Sequence, residues 1–201
     1  MFDMIRAMSN RREKILVRAA EMFASKGIAG TTVREIADEV GIMSSSIYYH
    51  FDSKQAIGVA VVSAYMDELH RRCAKVLVRP AGSRDRFTEL VAALLETVLQ
   101  HRHAAEIFHN DTGQLSRVAA FQQVMLAGRR LEQMWLDQIR AGVEAGEFRA
   151  DLNPVVLYQL TWATVWAAAR WFTPTRDWPA DRLARTYAAL LLDGMSPTRP
   201  R

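Results

Sequence analysis

Residues 31–54 read TTVREIADEVGIMSSSIYYHFDSK. Thr32 and Glu35 have the spacing of a capping box, in which each side chain hydrogen-bonds a backbone N–H at the start of a helix. Apolar residues then recur at three- and four-residue intervals until Gly41, and a glycine is typical of a helix end. The first half of the stretch therefore predicts a short helix that stops at a glycine turn.

The second half of the stretch predicts another short helix and the start of a long one. Ser44 is a candidate N-cap for a helix that ends near Phe51, and Asp52 or Ser53 is a candidate N-cap for the helix after it. Two short helices joined at Gly41 form a helix-turn-helix pattern, because glycine allows the chain to reverse sharply. Apolar spacing alone would fit an ordinary helical corner equally well.

The outward face of the second short helix is polar and aromatic, since Ile47 and Phe51 take its buried positions. The residues left outside suit groove edges and phosphates. They are Ser44, Ser45, Ser46, Tyr48, Tyr49 and His50. Lys54 follows in the first turn of the long helix, where a cation opposes the helix dipole by about 0.3–1 kcal/mol. The sequence offers no structural gain for this lysine, so we expect a phosphate beside it.

This stretch resembles the DNA-binding signature of TetR-family transcriptional regulators. The family pattern is a Thr-led helix with I-A and V-G, followed by Y-x-H-F-x-x-K. It is met by Thr32, Ile36, Ala37, Val40, Gly41, Tyr48, His50, Phe51 and Lys54. The resemblance implies that Thr32 and Lys54 bind phosphates and that Tyr48 and His50 contact the DNA backbone.

The same resemblance implies that Ser44 to Ser46 and Tyr49 face base edges, with Arg34 as a further DNA contact. Two of these residues have ordinary alternatives. Tyr48 could pack inside the domain, and His50 could cap a helix end. The group as a whole therefore predicts DNA binding more firmly than any one member does.

The rest of the chain also predicts helices, so we expect an all-α protein of about nine helices. A first helix is predicted from about Ser9 to Lys26, giving a three-helix head over residues 1–54. The body, residues 55–201, is expected to bind a ligand and to dimerise. Its helical patterns span about 53–77, 83–101, 103–110, 115–143, 154–172 and 179–194.

Composition excludes several classes of protein. No apolar run approaches the roughly 20 residues that cross a bilayer, and no signal peptide is evident, so we expect a cytoplasmic protein. The single cysteine, Cys73, has no partner for an internal disulfide. No nucleophile motif, glycine-rich phosphate loop or His-Glu-x-x-His pattern is present, so an enzyme is not expected. The net charge of +4 does not by itself locate a DNA-binding segment.

The last two helices, 154–172 and 179–194, carry apolar residues that suit a helical pair packed on its symmetry mate. These residues are Val156, Leu160, Ala163, Ala167, Leu183, Tyr187, Leu190 and Leu191. The family resemblance implies that this pair is the homodimer interface. Dimerisation would place two recognition helices in major grooves about 34 Å apart on palindromic, double-stranded operator DNA.

Large apolar residues in the middle of the chain predict a small-molecule pocket, although any one of them taken alone is better explained as plain core. The candidates are Phe108, Phe121, Met125, Trp135, Trp162 and Trp166, together with Arg170. Arg170 lies in the apolar run W-A-A-A-R-W-F, where a buried cation would need an anion, a carboxylate side chain or a carbonyl as its partner. An anionic effector is one candidate.

The body also resembles actinobacterial TetR regulators of steroid and fatty-acid catabolism, in QMWLDQIRAGVEAGEFRADL from Gln133 and in WAAARWFTP from Trp166. That resemblance implies an acyl-coenzyme A thioester as effector. We expect no other cofactor. We also expect a repressor that leaves its operator when the effector binds, because a head bound to its operator blocks polymerase without further contacts. The alternative is a helical ligand-binding protein that recognises no DNA sequence.

One cluster is rich in metal-ligating residues: His101, His103, Glu106, His109 and Asp111. Several of these could converge on one ion from a single helical turn. Solvated histidines near a helix end are commoner than a metal site. We therefore predict no metal site here.

Overall fold

The computed structural model describes residues 2–151 and 153–195, and within those ranges every regular element is helical. The nine α-helices there are α1 Phe2–Lys26, α2 Val33–Val40, α3 Ser44–Tyr48, α4 Lys54–Leu77, α5 Ser83–Gln100, α6 Arg102–Leu115, α7 Gln122–Glu144, α8 Pro154–Trp171 and α9 Ala180–Met195. A short 3-10 helix, Ala119–Phe121, precedes α7. The predicted all-α fold is confirmed. None of these helices is both long and apolar enough to cross a membrane.

Three predicted helix boundaries move. α7 begins at Gln122 rather than near residue 115, because a turn and the 3-10 helix precede it. α1 begins at Phe2 rather than near Ser9, because no helix breaker interrupts the residues between them. α6 continues through Gly113 to Leu115, although the glycine predicted a break there. One glycine in a helix interior costs only about 1 kcal/mol of stability relative to alanine, which the hydrogen bonds and packing of the rest of the helix can offset.

The caps around α3 also differ from the prediction. Ser44 is the first residue of α3 rather than its cap, and Met43 occupies the N-cap position without a side-chain hydrogen bond. α3 ends at Tyr48, earlier than predicted. Ser53 does cap α4, because its hydroxyl accepts a hydrogen bond of 3.1 Å from the backbone N–H of Ala56.

The chain packs as two compact units, one formed by residues 1–66 with 101–126 and the other by residues 67–100 with 127–201. In the first unit, α1 packs against α2 and α6, and α2 packs against α3. In the second unit, α5 packs against α8 and α9. The predicted functional division at residue 54 stays a prediction, since the first unit also takes in α6 and the start of α7.

Candidate nucleic-acid interface

The start of α2 is fixed by the predicted capping box. The Thr32 hydroxyl accepts a hydrogen bond of 3.2 Å from the Glu35 N–H, and the Glu35 carboxylate accepts one of 2.8 Å from the Thr32 N–H. Lys26 adds an ion pair of 3.1 Å with the same carboxylate. These hydrogen bonds, the backbone one first, lower the pKa of Glu35 to about 2. Glu35 is therefore charged at neutral pH and holds the N-terminus of α2.

The turn between α2 and α3 depends on Gly41, whose φ of 73° lies in the left-handed region. The backbone N–H of Gly41 donates to the Asp38 carbonyl at 3.1 Å, and that of Ile42 donates to the Ala37 carbonyl at 2.9 Å. This pair of bonds is the Schellman motif, which suits glycine because a Cβ is disfavoured at that φ. The predicted glycine turn is confirmed.

α3 presents the surface that the sequence predicted. Ile47 and Phe51 are buried, with 1% and 6% of their surface exposed, whereas Tyr48 and Tyr49 are 55% and 73% exposed. The exposure of Tyr48 speaks against the packing alternative. The other residues predicted for this surface are at least partly accessible. Ser45 is exposed, and Ser44, Ser46 and His50 are half-buried.

Lys54 has a structural use that the sequence did not reveal. Its ammonium donates hydrogen bonds to the carbonyl oxygens of Thr31, at 2.6 Å, and Ala29, at 3.1 Å. The expectation that this lysine lacks a structural gain is therefore wrong, because it ties the start of α4 to the connection between α1 and α2. An ammonium has three N–H donors, so one remains for a phosphate.

Two neighbours of this surface are not predicted by the sequence. Met43 is 75% exposed beside α3, and only its place off the apolar stripe could have flagged it. The Arg12 guanidinium lies 4.9 Å from the centre of the Phe51 ring, a long-range contact that no local pattern encodes. Thr32 and Arg34, at the start of α2, are both exposed.

The predicted ligand residues fall into two groups. Phe108, Phe121 and Met125 belong to the first unit, and Trp135, Trp162, Trp166 and Arg170 belong to the second. Phe121 and Trp135 are fully buried, whereas Arg170 is exposed. The expectation that Arg170 is a buried cation in need of an anion is therefore wrong. It lies on the outward face of α8, which alanines and a tryptophan share.

The interior of the second unit is aromatic with few polar atoms. The Trp135 ring lies 6.0 Å from that of Phe87 and 6.3 Å from that of Tyr158. Burial raises the pKa of the Cys73 thiol to about 12. Gln138 has only 6% of its surface exposed, and no described residue pairs with its amide nitrogen.

The histidine cluster is dispersed. Among the described side chains, no group of three or more His, Cys, Asp or Glu is placed to hold a metal ion. His103 is exposed, whereas burial lowers the pKa of His109 to about 4. The His101 ring lies 6.2 Å from that of Tyr65. The side chain of Asp111 lies outside the described residues.

The outward face of α8 is largely apolar, although Gln159 and Arg170 are also exposed on this helix. Its exposed apolar residues recur at three- and four-residue intervals, as one face of a helix does. They are Val156, Leu160, Ala163, Ala167 and Trp171. On α9, Leu190 is 68% exposed and Tyr187 is half-buried, but Leu183 is buried in the second unit and so faces inward.

Comparison with known proteins agrees with this geometry. Residues 15–61 match the family described as bacterial regulatory proteins, tetR family, and residues 80–195 match the tetracyclin repressor-like C-terminal domain. The repressor KstR2 of Mycolicibacterium smegmatis is 33% identical over 192 residues, which are 95% of this chain and 93% of that protein.

Solved structures give the same result. The structure of the ketosteroid transcriptional regulator KstR2 of Mycobacterium tuberculosis superposes with a TM-score of 0.85 at 31% identity, covering 92% of this chain and 95% of that one. A more distant likeness is AibR in complex with isovaleryl coenzyme A and operator DNA. Its TM-score is 0.77 at 17% identity, covering 90% and 98% of the two chains, which is a likeness of fold alone.

Proposed function

The chain belongs to the TetR family of bacterial transcriptional regulators, and we propose that it is a repressor that binds a palindromic operator as a homodimer and leaves it when an acyl-coenzyme A thioester binds. Proteins of this family are regulators and not enzymes. The KstR2 relatives are named as transcriptional repressors, which supports the repressor role.

The observation that carries DNA recognition is the outward face of α3. Tyr48 and Tyr49, at the end of α3, are exposed beside the serines of this helix, whereas Ile47 is buried. A folded core does not require this pattern. A helix of this kind enters the major groove, where hydroxyl groups and aromatic rings meet base edges. We assign base contacts to Ser44, Ser45, Ser46 and Tyr49, and add Met43, whose side chain suits a thymine methyl.

Residues on either side of α3 are assigned to phosphate contacts. Thr32 and Arg34 lie exposed at the start of α2, and the third donor of Lys54 lies at the start of α4. We also assign phosphate contacts to Tyr48, the last residue of α3, and to His50, just after that helix. Contacts to phosphates fix the register of the protein on the duplex, whereas contacts to bases determine the sequence it prefers.

The apolar face of α8 supports the dimer. A stripe from Val156 through Leu160 to Ala167, with Leu190 on α9, would be costly to leave in water, and a second copy of the chain is the occupant we propose. An isologous interface pairs the same patch on both subunits. Two recognition helices then read two half-sites about 34 Å apart.

The interior of the second unit supports an effector with a carbonyl oxygen. Gln138 holds a buried N–H donor without a partner among the described residues, which is costly unless a ligand satisfies it. A thioester carbonyl is such an acceptor. The fold also admits a ligand of this class, since AibR is described with isovaleryl coenzyme A. The exposed Arg170 adds nothing to this part of the proposal.

Thermal shift with octanoyl-coenzyme A, a steroid-derived coenzyme A thioester and free coenzyme A tests the effector. We expect the thioesters to raise the melting temperature and to release bound DNA, because a ligand stabilises the state that it prefers. Gln138→Leu should remove both effects, whereas Gln123→Leu, on the exposed side of α7, should keep them. A thermal shift without release would support the alternative of a ligand-binding protein that recognises no DNA sequence.

A further inference from the structure

Gly58 lies buried in the second turn of α4, at a point where two side chains come unusually close to the backbone. A Cβ built there would lie 2.9 Å from Cδ1 of Ile28 and 3.1 Å from Cζ of Phe121. Real Cβ atoms almost never have a neighbour as close as 2.9 Å, and a contact of 3.1 Å is tighter than nine in ten of theirs. Since glycine weakens a helix interior by about 1 kcal/mol relative to alanine, its presence here is explained by the close approach that it permits.

Ile28 belongs to the connection between α1 and α2. The same connection contributes the carbonyls of Ala29 and Thr31 that accept hydrogen bonds from Lys54, one helical turn before Gly58 on α4. One face of α4 therefore holds this connection at two points, once by hydrogen bonds and once by packing. The connection ends at the cap of α2, so its position bears directly on α2 and α3.

Phe121 closes the 3-10 helix that joins α6 to α7, and only 1% of its surface is exposed. Its backbone N–H donates to the Val118 carbonyl at 2.9 Å, which keeps this turn tight. The next residue, Gln122, begins α7. The position of the Phe121 ring is therefore coupled to the position of the connection between α6 and α7.

We propose that Phe121 is a positioning residue for DNA recognition. Its ring packs near Gly58 and Ile28 and so fixes the position of the connection between α1 and α2. That connection in turn fixes the orientation of the helix-turn-helix. This proposal rests on the proposed function. It gives Phe121 a different role from the pocket wall that the sequence suggested. A shift of the connection between α6 and α7 would then change DNA affinity without any change in the residues that touch DNA.

The test is a mutant cycle of Gly58→Ala and Phe121→Leu. The probe is the tightest duplex selected by the natural protein from a random-sequence pool, measured beside bulk DNA. We expect Gly58→Ala to bind the selected duplex about tenfold more weakly, equivalent to about 1.4 kcal/mol, with unchanged affinity for bulk DNA. Adding Phe121→Leu should recover part of the loss, because it removes one of the two close contacts of the new methyl group and leaves the one with Ile28.

Gly113→Ala is the matched control, because Gly113 is also helical and nothing described lies within 4 Å of a Cβ there. It should leave affinity unchanged. Wild-type affinity in Gly58→Ala, or a double variant no better than Gly58→Ala, would overturn the proposal. If Gly58→Ala does not fold, Phe121→Leu alone must weaken the selected duplex severalfold while bulk binding holds, and equal affinity there overturns it. If the natural protein selects no duplex, the proposed function fails instead.

Discussion

The ammonium of Lys54 donates a hydrogen bond of 2.6 Å to the carbonyl oxygen of Thr31, the residue before the cap of α2. A hydrogen bond from a charged donor contributes about 1.5–3 kcal/mol. We therefore expect Lys54→Gln to lower the free energy of unfolding by an amount of that order, measured by urea denaturation. It should also weaken operator binding and reduce its salt slope by about 1 if the third donor meets a phosphate.

Lys75→Gln is the matched control, because Lys75 lies exposed on the same helix and loses the same charge. Its stability should stay within about 0.5 kcal/mol of the natural protein, as for most surface substitutions. If both lysine variants behave alike, the hydrogen bonds to the connection between α1 and α2 are not what makes Lys54 important.

Tyr49 should contribute to recognition and little to folding, because 73% of its surface is exposed. We expect Tyr49→Ala to leave the melting temperature unchanged and to weaken the selected duplex by about 1–3 kcal/mol, the range for a lost base contact. Affinity for bulk DNA serves as the internal control and should hold. Equal losses on both DNAs would reassign Tyr49 to the backbone.

Leu160 should be needed for dimerisation, since it lies exposed at 54% on the apolar face of α8. Leu160→Glu is expected to give monomers by sedimentation equilibrium, because a glutamate facing its own symmetry mate adds repulsion to lost apolar contact. Val78→Glu, at another exposed apolar residue just after α4, should stay dimeric. A dimeric Leu160→Glu protein would place the interface elsewhere.

Glu35 gives stability a pH dependence of known sign. Its pKa in the folded protein is lowered to about 2 from an ordinary value of 4.5, so its contribution is present above pH about 4.5 and is lost as pH falls toward 2. Thermal unfolding at a series of pH values measures this effect. We expect the melting temperature to fall less between pH 4.5 and pH 2 in Glu35→Gln than in the natural protein. Glu39→Gln, on the same helix, should keep the natural profile, and a similar flattening in both variants would contradict the assignment.

The sequence predicts what local rules govern. Thr32, Glu35 and Gly41 act within a few residues of themselves, so the sequence alone suffices to predict the cap and the turn. Other contacts join segments that are distant in the sequence. They are the hydrogen bonds of Lys54, the contact of Arg12 with the Phe51 ring and the close packing of Phe121 on Gly58. No local spacing encodes these contacts, because they depend on how the helices pack in three dimensions.

Arg170 shows a second limit of prediction from sequence. An apolar helix face predicts burial, yet periodicity does not distinguish a face buried within the chain from one left for a second subunit. α8 has both kinds of face, with Val165 buried and Leu160 exposed. The sequence therefore predicts a buried arginine, whereas Arg170 lies on the outward side.

The central claim is that this chain recognises a specific DNA sequence as a dimer, and fluorescence anisotropy on labelled palindromic duplexes tests it most directly. Duplexes from DNA flanking the gene should give saturable binding at two chains per site. That binding should weaken steeply as salt rises, because phosphate contacts release counterions. Bulk DNA should compete at least about a thousandfold less well. If no palindromic duplex competes better than bulk DNA, the claim is contradicted.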